Sequence, residues 1–149
     1  MAAAKAKYTI SPLQFDDFPG WLPLWDKNNL GQRDQDVTSE TWSRLMNDDY
    51  PVFGFKAEID GTVAAIMHYI LHPVTGHMQP ACYMQDLFVD ENYRRSGIGK
   101  ALVRALEKRG RQEKWARIYW LAENDNQSAQ ALYKDLGLKL DFSLHILPI

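Results

Sequence analysis

The sequence predicts a mixed α/β fold with one central sheet flanked by helices. Two β-rich runs, Val52–Ile59 and Thr62–Leu71, are joined by Asp60-Gly61, a dipeptide typical of tight hairpins. Further strand-like runs alternate with helical ones in the second half of the chain. Strands that first form a meander and then alternate with helices indicate a mixed sheet, and 149 residues suit one domain spanning residues 1–149.

The elements follow in order from apolar spacing and turn residues. In the first half, Tyr8–Ile10 indicates a short strand, and Phe15–Asn28 predicts a helix. A second helix is expected to begin at Thr38 or Ser39, as N-cap, and to run through Asn47.

Strands and helices alternate in the second half. The predicted order is a strand at Tyr83–Val89, a helix at Lys100–Glu113, a strand at Trp115–Leu121, a helix at Asp125–Leu136 and a last strand region at Leu138–Leu147.

Composition narrows the classes of function. The net charge of −2 argues against non-specific nucleic-acid binding, although basic residues concentrate between Arg94 and Arg117. Cys82 is the only cysteine, so no internal disulfide is possible, and a cytoplasmic location is expected. Met1–Lys7 is too short and polar for a signal peptide and is expected to be flexible. No apolar run approaches the roughly 18 residues of a membrane helix, so no membrane association is expected.

The most informative stretch is Arg94-Arg95-Ser96-Gly97-Ile98-Gly99, between a predicted strand and a predicted helix. Free amides and the positive end of a helix dipole at such a loop suit a phosphate group. A P-loop is excluded because Arg94 and Ala101 replace its first glycine and its Ser or Thr. A Rossmann fingerprint is excluded because Leu102 stands where its third glycine belongs. The pattern that fits is Arg-x-x-Gly-x-Gly.

A second signature follows the predicted strand at Trp115–Leu121. It is an Asn, then Ala, then a Leu-Tyr pair and a closing glycine, at Asn126, Ala129, Leu132, Tyr133 and Gly137. Both signatures, in this order and spacing, resemble those of the GCN5-related N-acetyltransferase (GNAT) family. The resemblance implies a GNAT-like mixed, mostly antiparallel central sheet flanked by helices. It also implies transfer of an acetyl group from acetyl-CoA, as co-substrate, to an amine.

The resemblance assigns the acetyl-CoA site residue by residue. The loop would hold the pyrophosphate, and the strand would offer backbone groups to the pantetheine arm and polarise the thioester carbonyl. The implied cofactor-binding residues are Leu87, Phe88, Val89, Arg94, Arg95, Ser96, Gly97, Ile98, Gly99, Lys100, Asn126, Ala129 and Tyr133. Asn126 would orient the pantetheine or, alternatively, cap the helix.

Tyr133 occupies the position of the family's general acid, which protonates the CoA sulfur. A phenol with a pKa near 10 suits a thiolate of pKa roughly 8.5. From spacing alone, Tyr133 would instead be a core aromatic.

The general base is less defined. Polyamine-type members of the family carry Glu-Asp where this chain has Gln85-Asp86, and Gln85 cannot take a proton. Asp86, which strand alternation places on the opposite face from Gln85, is the second catalytic candidate. Its alternative role is structural, and Tyr83 and the histidines are further candidates for the base. His68 and His72 lie about 13 Å apart at strand rise, and the family chemistry needs no metal.

The acceptor is expected between the first helices and the strand around Asp86. Acidic and aromatic residues there suit a cationic amine, or form a solvated loop beside core tryptophans: Asp34, Asp36, Glu40, Asp48, Asp49, Trp21, Trp25 and Trp42. The segments Asp86–Asp90 and Ile118–Trp120 resemble those of the polyamine, small-amine and yeast histone/D-amino-acid types of the family. A small-molecule amine is therefore the expected acceptor. A protein lysine or N-terminal amine, or acyl-CoA binding without catalysis, are the alternatives. A homodimer is expected, with Ser143–Leu147 as an apolar edge strand.

Overall fold

The computed structural model describes residues 7–137 and 139–149, and it contains one five-stranded sheet with helices on both faces. The strands are β1 (Tyr8–Pro12), β2 (Val52–Ile59), β3 (Thr62–His72), β4 (Ala81–Val89) and β5 (Ile118–Tyr119). The α-helices are α1 (Phe18–Asn28), α2 (Gln35–Leu45), α3 (Ile98–Glu113) and α4 (Gln127–Lys134). Short 3₁₀ turns precede α1 and α3, at Phe15–Asp17 and Glu91–Tyr93. The predicted mixed, mostly antiparallel sheet is confirmed.

The strands lie in chain order, β1 to β5. The first four pair antiparallel, and β5 pairs with β4 in parallel at only two positions, Cys82 with Ile118 and Tyr83 with Tyr119. Asp60 and Gly61 both have positive φ, as the predicted tight hairpin between β2 and β3 requires.

A bulge interrupts the pairing of β3 with β4. His68 pairs with Asp86, whereas the next residue, Tyr69, pairs with Met84, so Gln85 has no partner on β3. The strict alternation expected between Gln85 and Asp86 is therefore interrupted at this point.

Two apolar clusters hold the helices on the sheet. Under α3, the side chains of Ile98, Leu102 and Leu106 pack against β2, β3 and β4 residues such as Met67 and Met84. On the opposite face, α1 and α2 contribute tryptophans that pack around Ile66 of β3. Burying one whole apolar side chain stabilises the fold by about 1.5–3 kcal/mol. Both helical layers are therefore fixed firmly relative to β3 and β4.

Three sequence expectations need correction. The second helix begins at Gln35, because the carboxylate of Asp34 accepts the amides of Asp36 at 3.0 Å and Val37 at 3.1 Å, and Thr38 is buried inside the helix. The strand predicted at Trp115–Leu121 shortens to Ile118–Tyr119.

The third correction concerns the last predicted strand region, Leu138–Leu147, which is not a strand in its described part. Residues 139–147 carry no secondary structure and are exposed, since no neighbouring strand pairs with them in the described part of the chain. Leu138 lies outside the described residues, as do residues 1–6 of the segment expected to be flexible. Among the described residues, no helix is both long and apolar enough to cross a membrane.

Candidate active site

The β5-facing edge of β4 is free over its second half. Beyond Tyr83, no described strand pairs with that edge, although β4 continues to Val89. The bulge at Gln85 lies where the free edge begins. Along Leu87–Val89, the backbone groups that point away from β3 therefore lie on an edge open to an amide-like ligand, although the Val89 carbonyl already accepts from Arg94 Nε.

The loop after β4 and the start of α3 have the geometry of an anion site. Gly97, with φ of +83°, is the N-cap, and its carbonyl accepts the amide of Ala101 at 3.0 Å. The first-turn amides of Ile98, Gly99 and Lys100 thus have no intrahelical partner. Nothing lies within 4 Å of a Cβ built on Gly97, so a ligand has room to approach the backbone. Arg95 also adopts positive φ, of +62°.

Two of the side chains assigned to the ligand, those of Arg94 and Ser96, have partners within the protein. Arg94 Nε donates to the Val89 carbonyl at 3.1 Å, and its guanidinium lies 5.7 Å from the Phe88 ring centroid. Ser96 Oγ donates to the Tyr93 carbonyl. Both side chains therefore shape the loop, and phosphate binding by either of them remains a prediction.

α4 approaches the same place. A Cβ built on Gly99 would lie 3.5 Å from Leu132 of α4 and 3.6 Å from Val89 of β4. Asn126 caps α4, because its Oδ1 accepts the amide of Ala129 at 3.1 Å. The capping alternative for Asn126 is thereby confirmed, and a contact with pantetheine remains a prediction.

Tyr133 packs on the α3 side of the sheet. Its ring lies 5.1 Å from that of Trp120, and it contacts the cluster under α3. Burial raises the pKa of its phenol, so the hydroxyl is protonated at neutral pH. Tyr133 is therefore a partly buried core aromatic, as its spacing indicated, and its hydroxyl is in the state that a general acid needs.

Asp86 stands at the centre of a hydrogen-bonded chain on the opposite, α1–α2 face. Trp21 Nε1 donates to His68 Nε2 at 2.9 Å, His68 Nδ1 contacts Asp86 Oδ2 at 3.0 Å, and Asn28 Nδ2 donates to Asp86 Oδ1 at 3.1 Å. An indole N–H only donates, so His68 Nε2 carries the lone pair and Nδ1 donates its hydrogen to Asp86. His68 is 4% exposed.

The charge of Asp86 follows from these contacts. Burial alone would raise the pKa of its carboxyl, but the hydrogen bonds from His68 and Asn28 outweigh burial and lower that pKa. The carboxylate is ionised at neutral pH and its side chain stays 24% exposed. Such a group is a weak proton acceptor and a good counter-ion for an ammonium.

Tyr83, Tyr119 and His72 form another set of contacting side chains on the α1–α2 face. The rings of Tyr83 and Tyr119 stack, with centroids 5.1 Å apart and planes 15° apart. Tyr119 Oη lies 2.7 Å from His72 Nε2, and His72 Nδ1 lies 2.9 Å from the Pro73 carbonyl oxygen. Burial, then the charge of Asp86, then Tyr119 raise the pKa of Tyr83. Tyr83 and Asp86, three residues apart, are neighbours because of the bulge between them.

Beside Asn28, α1, α2 and their connection line a cavity of about 580 Å³. Its walls include Trp25, Asn29, Arg33, Asp34 and Val37. Trp25 Nε1 donates to Thr38 Oγ1 at 2.9 Å, which joins the two helices. Of the other acceptor candidates, Trp21 and Trp42 are buried in the core, Asp34 caps α2, and Asp36, Glu40, Asp48 and Asp49 are exposed. Neither the core tryptophans nor these four carboxylates line the cavity.

Several functional candidates were missed from the sequence. Asn28 was not among the candidates, and the contacts of Trp21 with His68 and of His72 with Tyr119 were not foreseen, because they join elements that are distant along the chain. The described residues contain no group of three His, Cys, Asp or Glu side chains arranged to hold a metal ion.

Comparisons with known proteins give one consistent answer. The profile described as "Acetyltransferase (GNAT) family" matches residues 10–138. A D-amino-acid N-acetyltransferase of Saccharomyces cerevisiae is 26% identical over 145 residues, which cover 93% of this chain and 89% of the yeast protein. An acetyltransferase of Sodalis glossinidius is 28% identical over 138 residues, covering 93% of this chain and 92% of its own.

Solved structures agree on the fold. The aminoglycoside N-acetyltransferase AAC(6')-Iy, bound to a CoA bisubstrate analogue, matches with a TM-score of 0.82 at 18% identity, covering 97% of this chain and 99% of its own. A ribosomal-protein-alanine N-acetyltransferase from Brucella melitensis matches with a TM-score of 0.81 at 20% identity, covering 95% of this chain and 99% of its own.

Proposed function

Because this chain belongs to the acetyltransferase (GNAT) family, and so is an acetyl-CoA-dependent N-acetyltransferase, we propose that it acetylates a primary amine of a small molecule. The amine attacks the thioester directly, in a ternary complex. The observation that carries the proposal is the ionised, partly exposed Asp86, held by His68 and Asn28 beside the free edge of β4. An anion fixed at that point attracts an ammonium to the place where the acetyl group would lie.

The donor side fits acetyl-CoA. The unpaired first-turn amides of α3 and the open space at Gly97 suit a pyrophosphate, and Arg95 and Lys100 add positive charge. The free edge of β4 at Leu87–Val89 suits the amides of the pantetheine arm. Leu132 of α4 closes the third side of this space.

The two reactants approach from opposite faces of the sheet. Tyr133 lies on the α3 side, where a protonated phenol would give its proton to the leaving sulfur. Asp86 and the cavity beside Asn28 lie on the α1–α2 side, where the amine would enter. The thioester would lie between them, where β4 and β5 separate.

Direct attack is favoured over an acyl-enzyme. Cys82, the only cysteine, is buried, and burial raises the pKa of its thiol to about 12. A thiol held protonated in the core is not a nucleophile at neutral pH. The acetyl group is therefore transferred to the amine in one step, without a cysteine intermediate.

The size and charge of the site favour a small acceptor. The yeast relative is named for D-amino acids, and AAC(6')-Iy for aminoglycosides, both small amines. Ammonium groups on such molecules are complementary to Asp86, and a cavity of about 580 Å³ is of the size that holds small ligands.

The test is release of CoA thiol from acetyl-CoA in the presence of a panel of acceptors. The panel holds polyamines, D- and L-amino acids, aminoglycosides and lysine peptides. Turnover of one small-amine class supports the proposal. A preference for peptides would contradict it, as would a rise in melting temperature with acetyl-CoA but no turnover of any acceptor.

Tyr133→Phe is measured alongside. Loss of a general acid lowers kcat by about 100-fold or more, while the shift in melting temperature with acetyl-CoA stays. An unchanged kcat would remove Tyr133 from the reaction.

We further propose that the protein is a cytoplasmic homodimer. The described tail carries exposed apolar side chains suited to pairing with a second chain: Leu140, Phe142, Leu144, Ile146 and Leu147. Sedimentation at micromolar concentration measures the mass, and a monomer would refute the dimer.

A further inference from the structure

Asp86 can pair with the acceptor ammonium, but it is too weak a base to remove a proton from it. An ammonium cannot attack a thioester, and a carboxyl whose pKa is lowered holds a proton weakly. His68 offers no alternative, because its Nε2 lone pair already accepts the indole hydrogen of Trp21. A base must therefore be found elsewhere on this face of the sheet.

His72 has the free lone pair that His68 lacks. A carbonyl oxygen only accepts, so the 2.9 Å contact with Pro73 means that His72 Nδ1 carries the hydrogen. Its Nε2 is then the acceptor for the hydroxyl hydrogen of Tyr119, at 2.7 Å. The Pro73 carbonyl would continue to accept from Nδ1 after Nε2 is protonated.

Tyr119 connects His72 to the acceptor side of the site. Its ring stacks on Tyr83, and these two residues form the last pair between β4 and β5. The strands separate beyond this pair, at the edge to which the thioester was assigned. Asp86 is close enough to Tyr83 for its charge to act on that phenol. The Tyr119 hydroxyl therefore contacts the imidazole, and the ring that carries it stacks on Tyr83, the neighbour of the ammonium counter-ion.

We propose that Tyr119 is the catalytic residue that takes the proton from the acceptor ammonium, with His72 receiving the hydroxyl proton of Tyr119. The proposal rests on the proposed function and supplies the base that it lacks. The ammonium N–H bond breaks, a proton joins Tyr119 Oη, and the original hydroxyl proton moves to His72 Nε2.

The remaining bonds and protons of the acetyl transfer are accounted for without a further reactant. The neutral amine forms the new C–N bond, and the C–S bond breaks. The sulfur takes the Tyr133 proton, and the Tyr133 phenolate regains one from the acylated nitrogen. One proton remains on His72, equal to the one that the reaction releases.

That proton has a route to water. His72 is partly exposed at the end of β3 and lines a surface cavity of about 200 Å³ with residues of the following loop. The titratable groups that face this pair are Tyr83 of β4, Asp86 beyond it and His77 of the loop. His77 Nδ1 accepts the amide of Gln79 at 3.0 Å, so it is oriented within the loop.

The experiment compares two acceptors of the same size, a strongly basic amine and a weakly basic one that is neutral at the assay pH. Tyr119→Phe keeps the stacked ring, and His72→Gln keeps a polar side chain of similar reach. Both variants should lose about 100-fold or more in kcat/KM for the basic amine at neutral pH. They should lose only a few-fold for the weakly basic amine, which needs no base. The deficit should shrink as pH rises toward the pKa of the basic amine.

Met78→Leu is the control, since it alters an exposed, non-titratable side chain of the same cavity and should leave both profiles unchanged. Equal losses for the two amines at every pH would make the pair structural and overturn the proposal. If the wild-type protein acetylates the amines and both variants match its rates, the proton transfer through Tyr119 and His72 is overturned and the proposed function stands. If the wild-type protein acetylates neither amine, the proposed function and this proton transfer both fail.

Discussion

Replacing Asp86 with asparagine tests the centre of the site, because it changes charge and hydrogen bonding while keeping shape. The carboxylate accepts from both His68 Nδ1 and Asn28 Nδ2. An asparagine offers one acceptor oxygen and one amide group, so one of these donors must face another donor. His68 cannot relieve the conflict by changing tautomer, since its Nε2 must keep the lone pair for Trp21.

The size of the effect follows from those contacts. An unsatisfied buried donor costs about 1–3 kcal/mol, which lowers the melting temperature of a domain of this size by about 2–12 °C. Loss of the counter-ion should also lower kcat/KM by about 10- to 150-fold for cationic amines, at about 1.5–3 kcal/mol per hydrogen bond to a charged group. A neutral acceptor should be affected much less.

Urea unfolding at several pH values measures the contribution of Asp86 to the free energy of unfolding. The pKa of Asp86 is lowered in the folded state, so its ionisation stabilises the fold at any pH above the unfolded value, about 3.9. That contribution is lost as pH falls from about 4 through the folded pKa. The difference in free energy of unfolding between the wild-type protein and Asp86→Asn should therefore be constant near neutral pH and should decrease below about pH 4.

Asp48→Asn serves as the control, since Asp48 is an exposed carboxylate in the turn before β2. It should change neither the stability nor the preference between cationic and neutral amines. Asp86 is not the counter-ion if Asp86→Asn matches this control in both measurements, or if the variant slows cationic and neutral acceptors equally.

Two further predictions concern the loop and the second helix. Gly97→Ala and Gly61→Ala place a side chain at nearly the same positive φ, with no atom within 4 Å of either Cβ, so calorimetry should find both destabilised by about 1–2 kcal/mol. Titration should find acetyl-CoA affinity lowered in Gly97→Ala alone, and equal affinities would exclude the loop as its phosphate site. Asp34→Ala removes the cap of α2 and should cost about 0.5–2 kcal/mol in chemical unfolding, whereas no cost would mean that water replaces the cap.

Local patterns predicted those parts of the fold that depend on neighbouring residues. The Asp60-Gly61 hairpin follows from the positive φ that such turns need. The loop at Gly97 and the start of α3 follow likewise, because strand, glycine and helix are adjacent along the chain. The family resemblance is confirmed by a match over residues 10–138.

The parts that failed depend on partners distant in sequence. Thr38 and Ser39 are plausible caps locally, but Trp25 of α1 donates to Thr38 Oγ1, which places Thr38 within the buried face of α2. The apolar alternation after Leu138 predicts a strand, yet a strand forms only where another edge pairs with it. The contact between Asp86 and His68 could likewise not be foreseen, because only the register of β3 with β4 places the two residues side by side, and the catalytic role of Asp86 stays a prediction.

The bulge at Gln85 also bears on how this scaffold diversifies. A residue with no partner on β3 and an exposed side chain contributes little to the sheet or to either core. Its identity can change with little effect on folding, unlike that of Met84 or Asp86 on either side. Position 85 is the place where this chain carries an amide and polyamine-type sequences carry a carboxylate. Mutational drift at one structurally permissive position beside the proposed reaction centre would therefore give natural selection new chemistry to act on, while the rest of the strand stays the same.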